Sequence, residues 1–300
     1  MNNNMKLLII SVAGILVLVA LLIGAIAILG SSLGGTVAVI HIQGEISYSQ
    51  SDIFGGTSAN PEIIKSQLKE ADADESISSI LLDINSPGGT PVASEEIMEA
   101  VKNCKKPVVA WISDSGASGA YLVASGADKI IASKSSWVGS IGVILSLTNL
   151  SDLYKMLGVD KSSIKAGKYK DMGADYRDLT IEEKNMLQKM VDQEHDNFIT
   201  MVAENRKLDK NYVKSLAEGQ VFTGGHAKEL KLIDEIGGKD NALDVAAKLG
   251  GIEGSYQIIT MSSPQSLENI LSSLSSKIGY YVGKGIGTMI NGDNLQNMFY

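Results

Sequence analysis

One serine lies in a setting that suits nucleophilic catalysis. Ser118 belongs to a run of small residues, SGASGAY at 115–121, directly after a predicted buried strand. Small neighbours let the backbone turn sharply and let a substrate approach the hydroxyl. At the start of a helix, free N–H groups and the helix dipole stabilise negative charge. The segment therefore predicts a serine that attacks carbonyl groups, with simple helix capping as the alternative.

A second glycine turn supplies a complementary feature. The sequence NSPGG at 85–89 follows another predicted buried strand. Side chains do not shield its backbone N–H groups, and such donors stabilise the oxyanion that forms in acyl transfer. An ordinary Pro-Gly turn is the alternative. Because neighbouring parallel strands end at one edge of a sheet, we expect the turns at 85–89 and 115–121 to face one crevice.

The histidines do not identify a general base. His41 lies inside a predicted strand, His195 on a charged and solvated helix face, and His226 at the start of a helix. A Ser-His-Asp triad is therefore unsupported by the sequence. A lysine base must be neutral, which requires an apolar site that lowers its pKa. The run KAGKYKD at 165–171 offers three candidate lysines, with solvated loop residues as the alternative interpretation.

Alternating strands and helices must position these residues. Apolar, β-branched runs predict buried strands at 36–42, 79–84, 107–112, 129–132 and 142–145. Helices are predicted between and after them at about 60–74, 93–103, 120–125 and 150–157. This alternation is typical of parallel βαβ units with helices on both faces of the sheet.

The remainder of the domain is predicted to be mainly helical. The sequence TIEE at 180–183 is a capping signature for a long helix that reaches about Arg206. Residues 251–300 are expected to form a C-terminal strand and a weakly structured tail, rich in Ser and Gly from residue 265. Further helices are predicted at 210–217, 225–231 and 239–249.

The N-terminal segment predicts a membrane anchor. Residues 7–29 contain no charged side chain and are mostly Leu, Ile, Val or Ala. As a helix the run spans roughly 34 Å, enough to cross a bilayer core. A signal peptide cleaved near residues 25–27 is the alternative. The head at 1–6 carries Lys6 and no acid, which predicts a cytoplasmic N-terminus and an extracytoplasmic catalytic domain. A short segment rich in Ser and Gly, residues 30–35, is the predicted linker between the anchor and that domain.

Composition excludes several classes of function. The net charge is −8 and aromatic residues make up 5% of the chain. Such a chain lacks the basic footprint and the stacking platforms of a nucleic-acid binder. Cys104 is the only cysteine, so neither an intrachain disulfide nor a thiolate metal cage can form. We interpret Cys104 as a small apolar residue rather than a nucleophile.

Six segments in order carry a resemblance to a known family. Besides NSPGG and the Ser118 run they are VAVI to GEI at 37–46, VGSIGV at 138–143, GKYKD at 167–171 and GQVFTG at 219–224. Over about residues 36–250 the chain resembles signal peptide peptidase A in its short, single-repeat form. Members of that family are Ser-Lys peptidases related in fold to Clp protease and crotonase. Ala120 and Gln220 replace a glycine and an arginine that are more common in the family.

The resemblance implies an α/β fold of the ClpP/crotonase-like spiral type, built from βαβ units and preceded by one transmembrane helix. It implies hydrolysis of remnant signal peptides and other unfolded apolar segments, without a metal or cofactor. It also implies a ring-shaped homo-oligomer. Because the lysine segment lies beyond the main sheet, the lysine at Ser118 could come from the same protomer or from a neighbouring one. The implied nucleophile, base, lysine-supporting residue and two oxyanion donors are Ser118, Lys170, Ser140, Gly89 and Gly119.

Three other functions fit parts of the sequence. An acyl-CoA hydratase or isomerase on this fold would hold a thioester oxyanion at the Gly-Gly turn, but the anchor and the pair Ser118 and Lys170 argue against it. A related membrane Ser-Lys protease would cut stomatin-like proteins. A non-catalytic peptide-binding scaffold would leave Ser118 unacylated.

Overall fold

An eight-stranded sheet organises the part of the chain that the computed structural model describes, residues 35–49 and 58–262. The strands are β1 (Thr36–Gln43), β2 (Glu45–Ile46), β3 (Ser58–Ala59), β4 (Ile77–Ser86), β5 (Val108–Ala117), β6 (Lys129–Ala132), β7 (Trp137–Gly139), β8 (Val221–Thr223), β9 (Glu235–Ile236) and β10 (Gln257–Thr260). Six strands of the sheet run parallel in the order β10-β1-β4-β5-β6-β9, and β7 pairs with β5 and with β8; β2 and β3 form a separate pair.

Helices connect the strands, and local capping explains where the principal helices begin. Asn60 accepts from the N–H groups of Glu62 and Ile63, and Thr180 forms a reciprocal capping box with Glu183. The helices are α1 (Pro61–Ala73), α2 (Pro91–Lys102), α3 (Gly119–Ser125), α4 (Ser151–Met156), α5 (Ile181–Arg206), α6 (Lys210–Ser215), α7 (Gly224–Glu229) and α8 (Lys239–Leu249).

Helices cover both faces of the sheet, as a buried parallel sheet requires. On one face α1, α2, α3 and α5 enclose the larger apolar core, which includes Leu68, Ile97, Tyr121 and Val202. On the other face α8 packs Leu243 against Val39 and Leu81 of the sheet. The two cores make the central strands rigid supports for whatever follows their carboxyl ends.

The register of β4 and β5 brings the two glycine turns together. Ser86 lies opposite Gly116 after a register shift beyond Ile84. The turn at 87–89 and the residues after Ala117 therefore emerge side by side at the carboxyl edge of the sheet. The prediction that both turns face one crevice is correct in this respect.

Some element predictions were wrong, because short strands depend on distant partners. The run 142–145 does not form a strand: it leaves the sheet after Gly139 and has no partner strand among the described residues. β7 and β8 were not predicted, since neither is long enough to show a period-two pattern. The predicted C-terminal strand is present as β10, parallel to β1.

Several predicted features lie outside the described residues. These are the anchor at 7–29, nearly all of the linker at 30–35 and the tail at 265–300. Within residues 35–49 and 58–262, no helix combines the length and the apolar character that crossing a membrane requires.

Candidate active site

Ser118 occupies a strained turn between β5 and α3. Its backbone has φ 52° and ψ −126°, a region that non-glycine residues rarely adopt. Its side chain makes no capping hydrogen bond to α3, so the alternative that Ser118 merely caps the helix is wrong. The half-buried hydroxyl is left available for other chemistry.

Close backbone approach explains why glycines surround this serine. A Cβ atom on Gly88 would lie 2.7 Å from the Cβ of Ser118, and Gly88 itself has φ +105°. A Cβ atom on Gly119 would lie 2.1 Å from Oγ of Ser94. A side chain at Gly88 would push the two turns apart, and one at Gly119 would collide with Ser94 of α2, which is why this crevice needs glycine at both positions.

Two backbone nitrogens, those of Gly89 and Gly119, lie close together beside Ser118. Gly119 is the first residue of α3, and its N–H has no partner within the helix. A Cβ atom on Gly119 would lie 3.3 Å from the nitrogen of Gly89, so the two residues are adjacent. The turn holding Gly89 is fixed on both sides: Thr90 N–H donates to Ile46 O at 2.9 Å, and Ile46 N–H donates to Gly88 O at 2.9 Å. This arrangement provides fixed donors of the kind that bind an oxyanion.

A first cavity, the apolar cavity, opens beside these donors. Its volume is about 120 Å³, and its lining includes Ser118, Gly89 and Gly119. The other lining residues are mostly apolar; they include Leu122, Val143, Phe198 and Met201, together with the charged Glu194. A cavity with mostly apolar walls beside Ser118 suits an apolar side chain.

A second cavity, the polar cavity, also borders Ser118 and residues 142–144. It measures about 420 Å³ and is lined by Ser118, Ser140, His195 and Glu218, among others. His195 was predicted to lie on a solvated helix face; the structure leaves it half-buried next to exposed residues and places it among the residues that line this cavity. The charged neighbours of His195 in the chain gave no sign of this, because only the tertiary packing of α5 decides which side of it faces the site.

Ser140 is held rigidly where β7 ends. Its backbone has φ 52°, and its N–H donates to Gln220 O at 2.9 Å. Its hydroxyl donates to Gly219 O at 3.3 Å, which leaves the lone pairs of Oγ free to accept. The side chain of Gln220 accepts from the N–H of Glu218 at 3.0 Å.

Lys170 lies in an exposed turn, and within the described residues neither cavity at Ser118 is lined by a lysine. The lysine segment, residues 165–171, is fixed instead to the start of α5. Arg177 donates from Nη2 to Asp171 and to Glu183, at 2.7 Å in each case. The pKa of Asp171 is lowered by Arg177 first and then by Lys165, and Arg177 lowers the pKa of Glu183 to about 2.

The remaining histidines have structural contacts away from the crevice. His41 Nδ1 lies 3.2 Å from Asp83 on the neighbouring strand, where Lys239 also pairs with Asp83 at 2.7 Å. The ring of His226 packs edge-on against Phe222. Among residues 35–49 and 58–262, no group of three or more His, Cys, Asp or Glu side chains is arranged to hold a metal ion.

Comparison with known proteins identifies the class and then the family. The profile described as Clp protease matches residues 44–136, and that described as Peptidase family S49 matches residues 100–253. The fold is thus the α/β fold of Clp-type proteases. The chain belongs to peptidase family S49 and is a peptidase, as the sequence resemblance implied.

Curated relatives agree with this assignment. A putative protease of Methanocaldococcus jannaschii is 38% identical over 291 residues, which cover 90% of this chain and 91% of that protein. A putative signal peptide peptidase SppA of Enterococcus faecium is 37% identical over 66% of this chain and 59% of its own length. Protease 4 of Salmonella typhi is 30% identical over 86% of this chain, which spans 41% of that longer protein.

Solved structures share the fold. A serine mutant of a membrane-bound stomatin-specific protease superposes with a TM-score of 0.51 at 14% identity, covering 76% of this chain and 98% of that one. A lysine mutant of the same protease, in complex with a substrate peptide, gives 0.52 at 15% identity, with 81% and 98% covered. At these identities the similarity extends to the fold alone.

Proposed function

We propose that this protein is a membrane-anchored Ser-Lys endopeptidase that cleaves remnant signal peptides and other unfolded apolar segments. One observation carries the proposal: Ser118 sits in a strained turn with the N–H groups of Gly89 and Gly119 beside it. A nucleophile next to two fixed donors is the minimal equipment for acyl transfer.

The chemistry follows from this geometry. Oγ of Ser118 attacks the scissile carbonyl carbon while a neutral lysine Nζ takes the hydroxyl proton. The N–H groups of Gly89 and Gly119 hold the negative oxygen of the tetrahedral intermediate. As the C–N bond breaks, the lysine returns the proton to the leaving amine, and an ester on Ser118 remains. Water, deprotonated by the same lysine, then hydrolyses the ester and frees the serine.

Lys170 of a neighbouring protomer is the proposed base. Within one protomer the lysine segment is exposed and is fixed to α5 through Arg177. The polar cavity, by contrast, has room beside Ser118 and Ser140. A lysine that enters this cavity from outside loses its water, which lowers its pKa as catalysis requires.

An apolar surface supports the proposal of a ring-shaped homo-oligomer. Residues 144–164, here called the arm, expose large apolar side chains, and the helix α4 within the arm has no buried residue. A surface of this kind favours contact with another copy of the chain, since an exposed contiguous apolar patch is unfavourable in a monomer. The exposed side chains include Ile144, Leu145, Leu147, Leu153, Met156, Leu157, Val159 and Ile164.

The proposed location and substrates rest on different features. Residues 7–29 form the proposed single-pass anchor, which places the peptidase domain on the extracytoplasmic side. The walls of the apolar cavity suit side chains of the kind that signal peptides contain. The name of the Enterococcus faecium relative supports the same class of substrate.

The test uses the full chain in detergent micelles and a fluorophosphonate serine probe, followed by mass mapping. We expect the label on Ser118, its loss in Ser118→Ala, and a loss of labelling rate in Lys170→Ala. Mixing Ser118→Ala with Lys170→Ala should restore labelling, because each copy supplies the group that the other lacks. If the mixture is not labelled, the base belongs to the same protomer as the Ser118 that it activates.

Two further outcomes would redirect the proposal. If the folded, assembled chain takes no label, the peptide-binding scaffold becomes the better hypothesis. If labelling succeeds but the enzyme cleaves a stomatin-type segment far faster than a signal peptide remnant, the substrate assignment is wrong while the mechanism stands.

A further inference from the structure

The apolar cavity has a single charged residue among the described residues that line it, Glu194 of α5. Glu194 lies one helical turn before Phe198 and two turns before Met201, so the three residues share one face of α5. The proposed mechanism needs no carboxylate at this place, since it uses Ser118, a lysine and two backbone donors. Glu194 therefore calls for a role in what the cavity binds.

Glu194 lies nearer to solvent than the apolar floor of this cavity. Leu122 and Phe198 are buried, with 3% and 5% of their surface exposed. Glu194 is half-buried, and Ile144, which also lines the cavity, is 89% exposed. The Glu194 carboxylate accepts a long, exposed hydrogen bond at Oε2 from Nδ2 of Asn197, at 3.5 Å. The cavity thus combines a buried apolar floor with a carboxylate that a bound molecule can reach.

The ion pairs of residues 35–49 and 58–262 leave the charge of Glu194 uncompensated, since none of them includes Glu194 or its neighbour Glu95 on α2. Burial raises the pKa of the Glu95 carboxyl, and the negative charges of Glu99 and Glu194 raise it further. The carboxylates of α2 and α5 therefore repel one another. A positive group beside Glu194 would be stabilised, and a negative group there would be repelled.

We propose that Glu194 is a specificity-determining residue, which favours lysine or arginine over aspartate or glutamate as the residue whose carbonyl Ser118 attacks. The inference rests on the proposed function, because it needs that carbonyl to bind beside Gly89 and Gly119, which line the same cavity. The apolar stem of a lysine or arginine packs along the apolar walls, and its charged head reaches Glu194 near solvent. Apolar side chains remain substrates because they contact the same walls.

The experiment measures kcat/KM of the full chain in detergent micelles on fluorogenic peptide amides that are identical except at this residue. Lysine is compared with norleucine, which has the same stem without the charge, and glutamine is compared with glutamate. For the wild type we expect lysine to exceed norleucine, and glutamine to exceed glutamate, each by about fivefold, as a partly exposed charge pair predicts. Added salt should reduce both ratios, because it screens charges near solvent.

Three variants test whether Glu194 is the source of these ratios. Glu194→Gln keeps the shape and removes the charge, so both ratios should approach one, and Glu194→Lys should invert both. Glu204→Gln is the matched control, since it removes the same charge from the same helix about 15 Å further along, and it should keep both ratios. Labelling of Ser118 with the serine probe counts the active sites of each variant, and thermal unfolding shows that each is folded.

The outcomes separate this inference from the proposed function. If lysine and norleucine peptides are cleaved equally, or if the preference survives in Glu194→Gln, the inference is overturned. The proposed function stands in either case, provided that labelling of Ser118 depends on Lys170. If the folded, assembled chain takes no label on Ser118 and cleaves none of the peptides, both are overturned.

Discussion

The backbone N–H of Ser118 donates a 2.8 Å hydrogen bond to the carbonyl of Gly139, the residue before Ser140. Ser118 and Ser140 both have φ 52°, and both lie where strands of the same sheet end. This bond joins the nucleophile turn to the segment that carries the proposed lysine support. The hydrogen bond fixes the two serines relative to each other, so a lysine that enters from a neighbouring protomer would meet both at a defined distance.

Gly89→Ala should damage the site. The added Cβ would lie 1.9 Å from the carbonyl oxygen of Ile46, so the turn must move and take the N–H of Gly89 with it. Loss of one oxyanion donor predicts a fall in the rate of Ser118 acylation of about 10²-fold, measured with the serine probe. Gly225→Ala, where the nearest atom is 3.6 Å away, is the control and should retain activity.

The backbone strain at Ser118 should appear as a difference in the free energy of unfolding between two variants of this residue. Glycine accepts a positive φ without steric cost, whereas alanine does not. Ser118→Gly should therefore be more stable than Ser118→Ala by about 1 kcal/mol in urea unfolding, although both are inactive. At Ser151, the first residue of α4, the order should reverse, because glycine is the poorer helix former. The same order at both positions would contradict the assignment of strain to Ser118.

Cys104 should be unreactive, so thiol reagents should not inhibit the enzyme. Burial raises the pKa of the thiol to about 11, with smaller contributions from Asp72 and Asp128, and little thiolate exists at neutral pH. We expect iodoacetamide to leave peptidase activity unchanged while a fluorophosphonate abolishes it. Cys104→Ser should remain active; inhibition by iodoacetamide that disappears in this variant would show the thiol to be near the site.

Acid should loosen the attachment of the lysine segment to α5. Because the folded pKa of Glu183 is about 2 against 4.5 as an ordinary value, its ion pair with Arg177 stabilises the fold above pH 4.5. That stabilisation is lost as the pH falls from 4.5 towards 2, and Asp171, whose pKa is also lowered, acts in the same sense.

Arg177→Met tests this linkage. Without the guanidinium the variant should be less stable at neutral pH, and its stability should fall less between pH 7 and pH 3 than that of the wild type, measured by urea unfolding. Lys155→Met is the control, since its pair with Asp152 is solvent-exposed and contributes little. Parallel pH curves for wild type and Arg177→Met would contradict the role of Arg177.

The arm should govern assembly. Ile164→Asp places a charge in the proposed contact between copies, so we expect a smaller particle in light scattering and slower labelling of Ser118. Leu249→Asp changes a partly exposed apolar residue at the end of α8 and should affect neither measurement. An unchanged particle size in Ile164→Asp would place the interface elsewhere.

Local signals in the sequence were sufficient for much of the architecture. The apolar runs of β1, β4 and β5, the capping box at Thr180 and the glycine turn at 85–89 are encoded within a few residues, and each is present where predicted. The family could be identified because six short motifs keep their order. The assignments of Lys170 and Ser140 remain predictions, since a single protomer leaves Lys170 exposed.

Other features depended on residues far apart in the chain. The side chain of Ser118 does not cap α3, and its backbone has a positive φ at the point where Gly88, 30 positions away in the sequence, approaches its Cβ. His195 looked solvated because its neighbours are charged, yet the packing of α5 places it among the residues that line the polar cavity. The sequence alone determined which groups are available for catalysis, since motifs are local. Only the tertiary structure decided which of them meet, because a cavity arises from several elements packing together.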